Sequence, residues 1–177
     1  MSTTTTIAII GATESSCFLV AKRLAQRYRV LLFDKDEEKL LAALHHILTT
    51  YPSANAEAMI CPADASWEAD IIIVSGYYCG DSEISEKIKN VSTGKIVIII
   101  ADEINIDISL PPVGNLQHLL PYSKLIQVLN VSGQFTADLN KNLVIRGNDE
   151  EALDIVTSIF NSIGFNVVKS LTQTFNN

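Results

Sequence analysis

Four short runs in the first 101 residues are apolar at every position instead of at every second one: Ile7-Ala8-Ile9-Ile10, Val30-Leu31-Leu32-Phe33, Ile71-Ile72-Ile73-Val74 and Ile96 to Ala101. A strand with one face in water alternates apolar and polar side chains. Strands that do not alternate are covered on both faces, as parallel strands flanked by helices are. The stretches between the runs can supply those helices. Leu19, Val20, Ala21, Leu24 and Ala25 follow a helical period, and so do Leu40, Leu41, Leu44, Ile47 and Leu48 behind the charged start Asp34-Lys35-Asp36-Glu37-Glu38.

This alternation predicts an α/β chain of Rossmann type, with a doubly wound, mostly parallel sheet and helices on both faces. Asp70 extends the Ile71 to Val74 strand and Lys95 opens the next. A weak third strand is expected at Ala56 to Cys61, with later strands at Lys124 to Leu129, Leu143 to Ile145 and Phe165 to Val168. Helices are expected at Ser82 to Lys89 and from near Asp149 to a C-cap at Gly164. Leu110-Pro111-Pro112-Val113-Gly114 reads as a surface connection, because prolines are excluded from helix interiors and central strands. No repeat or second hydrophobic centre interrupts the pattern, so residues 1–177 are expected to form a single domain.

Thirteen Lys and Arg against 20 Asp and Glu give a net charge of −7, which opposes binding to nucleic acid or an anionic membrane. Cys17, Cys61 and Cys79 are far apart and form no C-x-x-C pair, so reduced thiols are expected. The opening Met-Ser-Thr-Thr-Thr-Thr lacks the regions of a secretory signal, and Ile96 to Ala101 is far shorter than the roughly 20 residues of a spanning helix. A cytoplasmic chain is the expectation. His45 and His46 are adjacent on a helix and diverge by about 100°, so no metal is expected there. The sequence contains no G-x-S-x-G elbow, which leaves a hydrolase without support.

An acidic chain that binds an anionic ligand must do so through local N–H groups. The loop after the first strand is Gly11-Ala12-Thr13-Glu14-Ser15-Ser16-Cys17. Against the dinucleotide-binding pattern G-x-x-G-x-x-G only Gly11 survives, with Glu14 and Cys17 in the other places; against G-x-G-x-x-G, Thr13 and Ser16 replace the second and third glycines. Glu14 either repels phosphate or complements the dipole of the helix it introduces. Asp34 ends the second strand, about twenty residues after Gly11, where a carboxylate accepts ribose hydroxyls and favours NAD over NADP. Lys35 beside it could offset a phosphate, and both residues equally suit the solvated start of a helix.

These residues resemble the family of NADP reductases that use the factor-420 deazaflavin, over nearly the whole chain. Ile7 to Leu24 is similar to the family's first strand, G-x-T-G-x-x-G loop and helix, which ends in an R-L-A triplet seen here as Arg23-Leu24-Ala25. Ala69 to Val74 and Gly94-Lys95-Ile96-Val97 are similar to its fourth and fifth strands. Leu119-Leu120-Pro121 leading to Val128-Leu129-Asn130, and Gly147-Asn148-Asp149-Glu150-Glu151-Ala152 followed by Ile163-Gly164-Phe165, resemble its later motifs. Gly11-Ala12-Thr13 also resembles the turn of short-chain dehydrogenases, but no Y-x-x-x-K pair follows.

In the family, hydride passes directly between nicotinamide and deazaflavin, so the cofactors carry the chemistry and no catalytic residue is assigned. The resemblance implies cofactor contacts at Gly11, Ala12, Thr13, Glu14, Ser15, Ser16, Asp34, Lys35, Ser75, Gly76 and Tyr77, with Asn130 near the nicotinamide or second substrate. Tyr77 and Tyr78 suit either stacking on a ligand or burial. The replaced glycines, the missing proline in Ser75-Gly76-Tyr77, and an end at Asn177 before the family's further helical segment are departures. The resulting expectation is an oxidoreductase dependent on NAD or NADP with weakened or altered cofactor binding. The alternative is a non-catalytic Rossmann domain without cofactor, serving as a homodimer, in regulation, or in binding another small-molecule ligand.

Overall fold

The computed structural model describes residues 5–101, 112–130 and 142–171. The chain opens with β1 (Thr6–Ile10), α1 (Ser15–Leu24), β2 (Arg29–Phe33), α2 (Glu37–Thr50), β3 (Ala56–Ala58), α3 (Pro62–Glu68) and β4 (Ile71–Ser75). A 3-10 turn at Gly76–Tyr78 leads to α4 (Ser82–Lys89), β5 (Ile96–Ala101), α5 (Pro112–Leu119), β6 (Lys124–Asn130), β7 (Asn142–Gly147), α6 (Glu150–Ser162) and β8 (Asn166–Leu171). Three helices begin at an aspartate that caps them. Asp36 accepts from Lys39 N at 3.1 Å, Asp81 from Ile84 N at 3.2 Å and Asp149 from Ala152 N at 2.8 Å. Gly164, at φ +89°, ends α6 as expected.

The strands form one eight-stranded sheet in the order β3-β2-β1-β4-β5-β6-β7-β8. Neighbours from β3 to β6 pair in parallel, β7 runs antiparallel to β6, and β8 is parallel to β7. This is the mostly parallel, doubly wound sheet that the uninterrupted apolar runs predict. Along β1, Ile7 and Ile9 face one core with Leu24 of α1, Ile47 of α2 and Phe160 of α6. Ala8 and Ile10 face the other with Ala65 of α3, Ile84 and Ile88 of α4 and Leu116 of α5.

Two expectations are corrected. The third strand stops at Ala58, before the expected Cys61, because Cys61 is already the N-cap of α3 with Pro62 in its first turn. The proposed connection from Leu110 to Gly114 is partly helical, since Pro112 opens α5; Leu110 and Pro111 lie outside the described residues. Both corrections have one cause. The first turn of a helix has N–H groups without intrahelical partners, so proline costs little there and its fixed φ favours the helix.

Candidate functional site

Strand order reverses between β1 and β4, with β2 on one side and β5 on the other. The chain leaves β1 for α1 on one face and leaves β4 toward α4 on the opposite face. In open α/β sheets, ligands bind in the crevice outside the carboxyl ends of the strands at such a reversal. The sequence-predicted residues 11–16, Asp34, Lys35, Gly76 and Tyr77 follow the carboxyl ends of β1, β2 and β4, and Ser75 is the last residue of β4. Asn130 ends β6, two strands from β4, and its side chain lies outside the described residues.

Gly11 turns the chain at φ +87°, and the N–H groups of Gly11 and Ala12 both donate to the Phe33 carbonyl, at 2.9 and 3.1 Å. Both residues are buried. A Cβ at Gly11 would lie 2.6 Å from Ser75 Cβ and 2.6 Å from Tyr78 Cδ2, so only glycine fits both the turn and its neighbours.

Glu14 is the N-cap of α1 and is exposed, but its carboxylate makes no capping hydrogen bond. Its backbone does the local work. The N–H donates to Gly11 O at 3.2 Å and the carbonyl accepts from Phe18 N at 2.7 Å. The carboxylate therefore does not fold onto the first turn of α1. Its charge joins those of Asp36 and Asp34 in holding Lys39 above the ordinary lysine range, the Asp36 hydrogen bond being the largest cause. Ser15 is exposed and Ser16 buried.

Asp34 is buried and accepts through both oxygens. Oδ2 takes Thr13 N at 3.1 Å and Thr13 Oγ1 at 2.8 Å; Oδ1 takes Asp36 N at 3.2 Å and the Tyr78 hydroxyl at 3.2 Å. Lys35 gives its ammonium to Asp81 Oδ2, at the N-cap of α4, at 2.7 Å and to Glu83 Oε2, in its first turn, at 3.2 Å. The Asp81 bond is the main reason Lys35 lies above its ordinary range.

After β4, the Ser75 hydroxyl accepts from Tyr77 N at 3.2 Å and so caps the 3-10 turn. The turn sends its two tyrosines in different directions. Tyr77 is 76% exposed and Tyr78 5%, with the rings edge to face at 5.3 Å. Burial is the main reason the Tyr78 hydroxyl is pushed up to about 12, so it stays a hydrogen-bond donor at neutral pH. Sequence reasoning left Asp81 and Glu83 out of the site, and for Tyr78 it offered stacking or burial without its bond to Asp34. Asp81 was findable as a cap, from an aspartate directly before a helical period; nothing local marks it as the partner of Lys35.

These residues lie together around the carboxyl ends of β1, β2 and β4. They comprise a buried glycine turn, the N-terminus of α1, and an acid directly after β2. Among the described residues no cluster of three or more His, Cys, Asp or Glu is arranged to hold a metal ion. Among them also, no helix is long and apolar enough to cross a membrane.

No protein-family model matches the chain. The resemblance read from its motifs is borne out by comparison with known proteins. The chain is 28% identical to the F420-dependent NADP reductase of Methanocaldococcus jannaschii over 89% of its own length and 79% of that protein. Its fold matches the crystal structure of a candidate F420-dependent NADP reductase from Arthrobacter sp. FB24 with a TM-score of 0.67 at 19% identity, covering 93% of this chain and 84% of that one. It also matches an imine reductase from Myxococcus stipitatus in complex with NADP+, with a TM-score of 0.69 at 13% identity, over 93% of this chain and 55% of that one.

Proposed function

We propose that this chain is an NAD(P)-linked oxidoreductase of the reductase type to which its relatives belong, binding the dinucleotide across the β1/β4 switch point. One observation carries the reading: the positive-φ turn at Gly11, the N-terminus of α1 and the acid Asp34 converge on the same crevice. The nicotinamide, when bound, supplies the hydride chemistry. The protein contributes position. Gly11 makes the turn that brings the N-terminus of α1 toward the pyrophosphate, Thr13 and Asp34 fix the loop, and the carboxyl ends of β4 to β6 support the redox half, with Asn130 at the end of β6. A deazaflavin, which the M. jannaschii relative is named for, is the proposed hydride partner on that half.

The charge around Asp34 argues for a cofactor without a 2′-phosphate, although the named relatives use NADP. Asp34, Asp36, Asp81 and Glu83 oppose a phosphate there, and both nearby lysines, Lys35 and Lys39, already pair with carboxylates. The internal hydrogen bonds of Asp34 favour a second reading, a Rossmann domain that has given up the dinucleotide for another ligand. Calorimetric titration with NADH, NADPH and ADP-ribose separates the two. The first reading expects saturable binding, tighter for NADH than for NADPH. No heat from any of the three at millimolar concentration would overturn it in favour of the second.

A further inference from the structure

We propose that Tyr78 is a displaceable gate on the ribose end of this crevice, its phenol hydroxyl holding the place on Asp34 that a ribose hydroxyl takes when nucleotide binds. The inference rests on the dinucleotide reading above and adds to it a specificity-determining residue.

In NAD-binding sheets the acid at the end of the second strand receives ribose hydroxyls. Here Oδ1 of that acid already receives a hydroxyl, from Tyr78 at 3.2 Å, and the backbone N–H of Lys35 donates to the same phenol at 3.4 Å. The Tyr78 ring also packs on the Cα of Gly11, the one glycine of the loop: a Cβ there would lie 2.6 Å from Tyr78 Cδ2 and 2.9 Å from Cε2, with Ser75 Cβ at 2.6 Å beside them. Tyr78 thus covers both features that a nucleotide would use. It can do so because Gly11 directly follows β1 and Asp34 directly follows β2, adjacent strands whose last residues, Ile10 and Phe33, are paired.

Several features suit the residue to movement. It sits in a single 3-10 turn, between Gly76 and Gly80, and a Cβ at Gly80 would meet nothing within 4 Å. The ring packs inward on the core beside Ala8 and Ile10, and on its outer side the Tyr77 ring lies edge to face at 5.3 Å and the Lys35 ammonium 6.0 Å from the centroid, the latter held by the exposed pairs to Asp81 and Glu83. Exposed pairs of this kind hold weakly. Displacement exchanges one hydroxyl donor on Asp34 for another, so the hydrogen-bond count is preserved, whereas a 2′-phosphate would bring negative charge to a carboxylate. The gate therefore favours a ligand with a free ribose hydroxyl. A protein that must open before it binds shows an affinity reduced by the fraction open, and removing the gate restores that fraction.

The test compares the parent with Tyr78→Phe and Tyr78→Ala in calorimetric titrations with ADP-ribose and with reduced nicotinamide mononucleotide, which lacks the adenosine half. Tyr78→Ala is expected to bind ADP-ribose about tenfold or more tighter than the parent, with the mononucleotide unchanged. Tyr78→Phe, which keeps the ring and removes the hydroxyl donor while Asp36 N stays on Asp34 Oδ1, is expected to gain about threefold, and it decides the matter if Tyr78→Ala fails to fold. In the parent, the ring resonance that Tyr78→Phe removes from tyrosine-labelled NMR spectra should move to an exposed-tyrosine position on adding ADP-ribose. Binding of ADP-ribose by the parent and by folded Tyr78→Phe with equal affinity, or an unmoved resonance at saturation, overturns the gate and leaves the dinucleotide reading standing. No binding of ADP-ribose by the parent or either variant overturns both.

Discussion

Thr13 and Asp34, 21 residues apart, are joined through a single carboxylate oxygen, which accepts the Thr13 amide at 3.1 Å and the Thr13 hydroxyl at 2.8 Å. The position where one dinucleotide pattern has its second glycine is thus occupied by a side chain that ties the loop to the end of β2. The other oxygen of Asp34 ties in Asp36 and Tyr78. The loop is held by side-chain bonds where glycine-rich loops rely on backbone freedom.

Thr13→Val keeps the shape of the residue and deletes one donor to an ionised acceptor. Such a bond contributes about 1.5–3 kcal/mol. Urea unfolding should show a loss in that range with an unchanged slope, and Thr13→Ser should recover most of it. A Thr13→Val midpoint equal to the parent's would mean that the hydroxyl bond carries no net stability.

Gly11→Ala meets two obstacles at once. The left-handed backbone costs a non-glycine residue about 1–2 kcal/mol, and the new methyl would press on Ser75 Cβ and the Tyr78 ring. Overpacking of this kind adds about 1–3 kcal/mol. We expect a loss of at least about 2 kcal/mol in thermal or urea unfolding, and Gly11→Ala combined with Tyr78→Ala should lose less than the sum of the single changes, because one clash is shared.

What the sequence revealed and what it hid divide along a physical line. The strands β1, β2, β4 and β5 were legible because burial on both faces leaves no polar residue inside them. The helix start near Asp149 and the turn at Gly11 were legible because each rests on the chemistry of a few neighbouring residues. Helices α3 and α5 were missed because proline in a first turn looks, in sequence, like proline in a loop. The web around Asp34 was missed for a different reason. Thr13, Asp34 and Tyr78 meet only after three strands have been laid side by side, and no periodicity records which side chain a carboxylate will choose among several donors.

Tyr78 gives the protein an alkaline signature. Its hydroxyl is raised from 10.0 to about 12, chiefly by burial. A raised folded value means that the protonated phenol's contribution is complete below pH 10, where the unfolded chain also keeps its proton, and is lost as pH climbs toward 12. Relative to Tyr78→Phe, which has no phenol to titrate, the parent should therefore lose stability across that window. Parallel stability curves for the two proteins between pH 9 and 12 would contradict it.

Asp149 gives the opposite limb. The Ala152 N–H, and then the ion pair to Lys124, hold its carboxyl below the ordinary aspartate range. A lowered folded value means that the contribution is present above the unfolded value of 3.8 and is lost as pH falls through the lowered one. Asp149→Ala should cost about 1 kcal/mol at neutral pH through loss of the cap, and Asp149→Asn much less, since asparagine caps equally well. The parent's margin over Asp149→Asn should then shrink below about pH 4.

Lys35 decides whether the site can take a 2′-phosphate. It adjoins Asp34 in sequence, but its ammonium is held by Asp81 and Glu83, and as long as both carboxylates stay it has little charge to offer a ligand. Replacing them with Asp81→Asn and Glu83→Gln removes two negative charges and frees one positive charge, while asparagine preserves the α4 cap. The NADPH affinity should then rise relative to NADH by about five- to tenfold at low ionic strength, and the gain should shrink with added salt, as expected for exposed charges. Adding Lys35→Gln to the double variant should abolish most of the gain, whereas the same change in the parent should move the ratio little. An NADPH-to-NADH ratio that is indifferent to all three substitutions would place the 2′ position away from Lys35, and with it would go the assignment of the Asp34 end as the ribose end of the crevice.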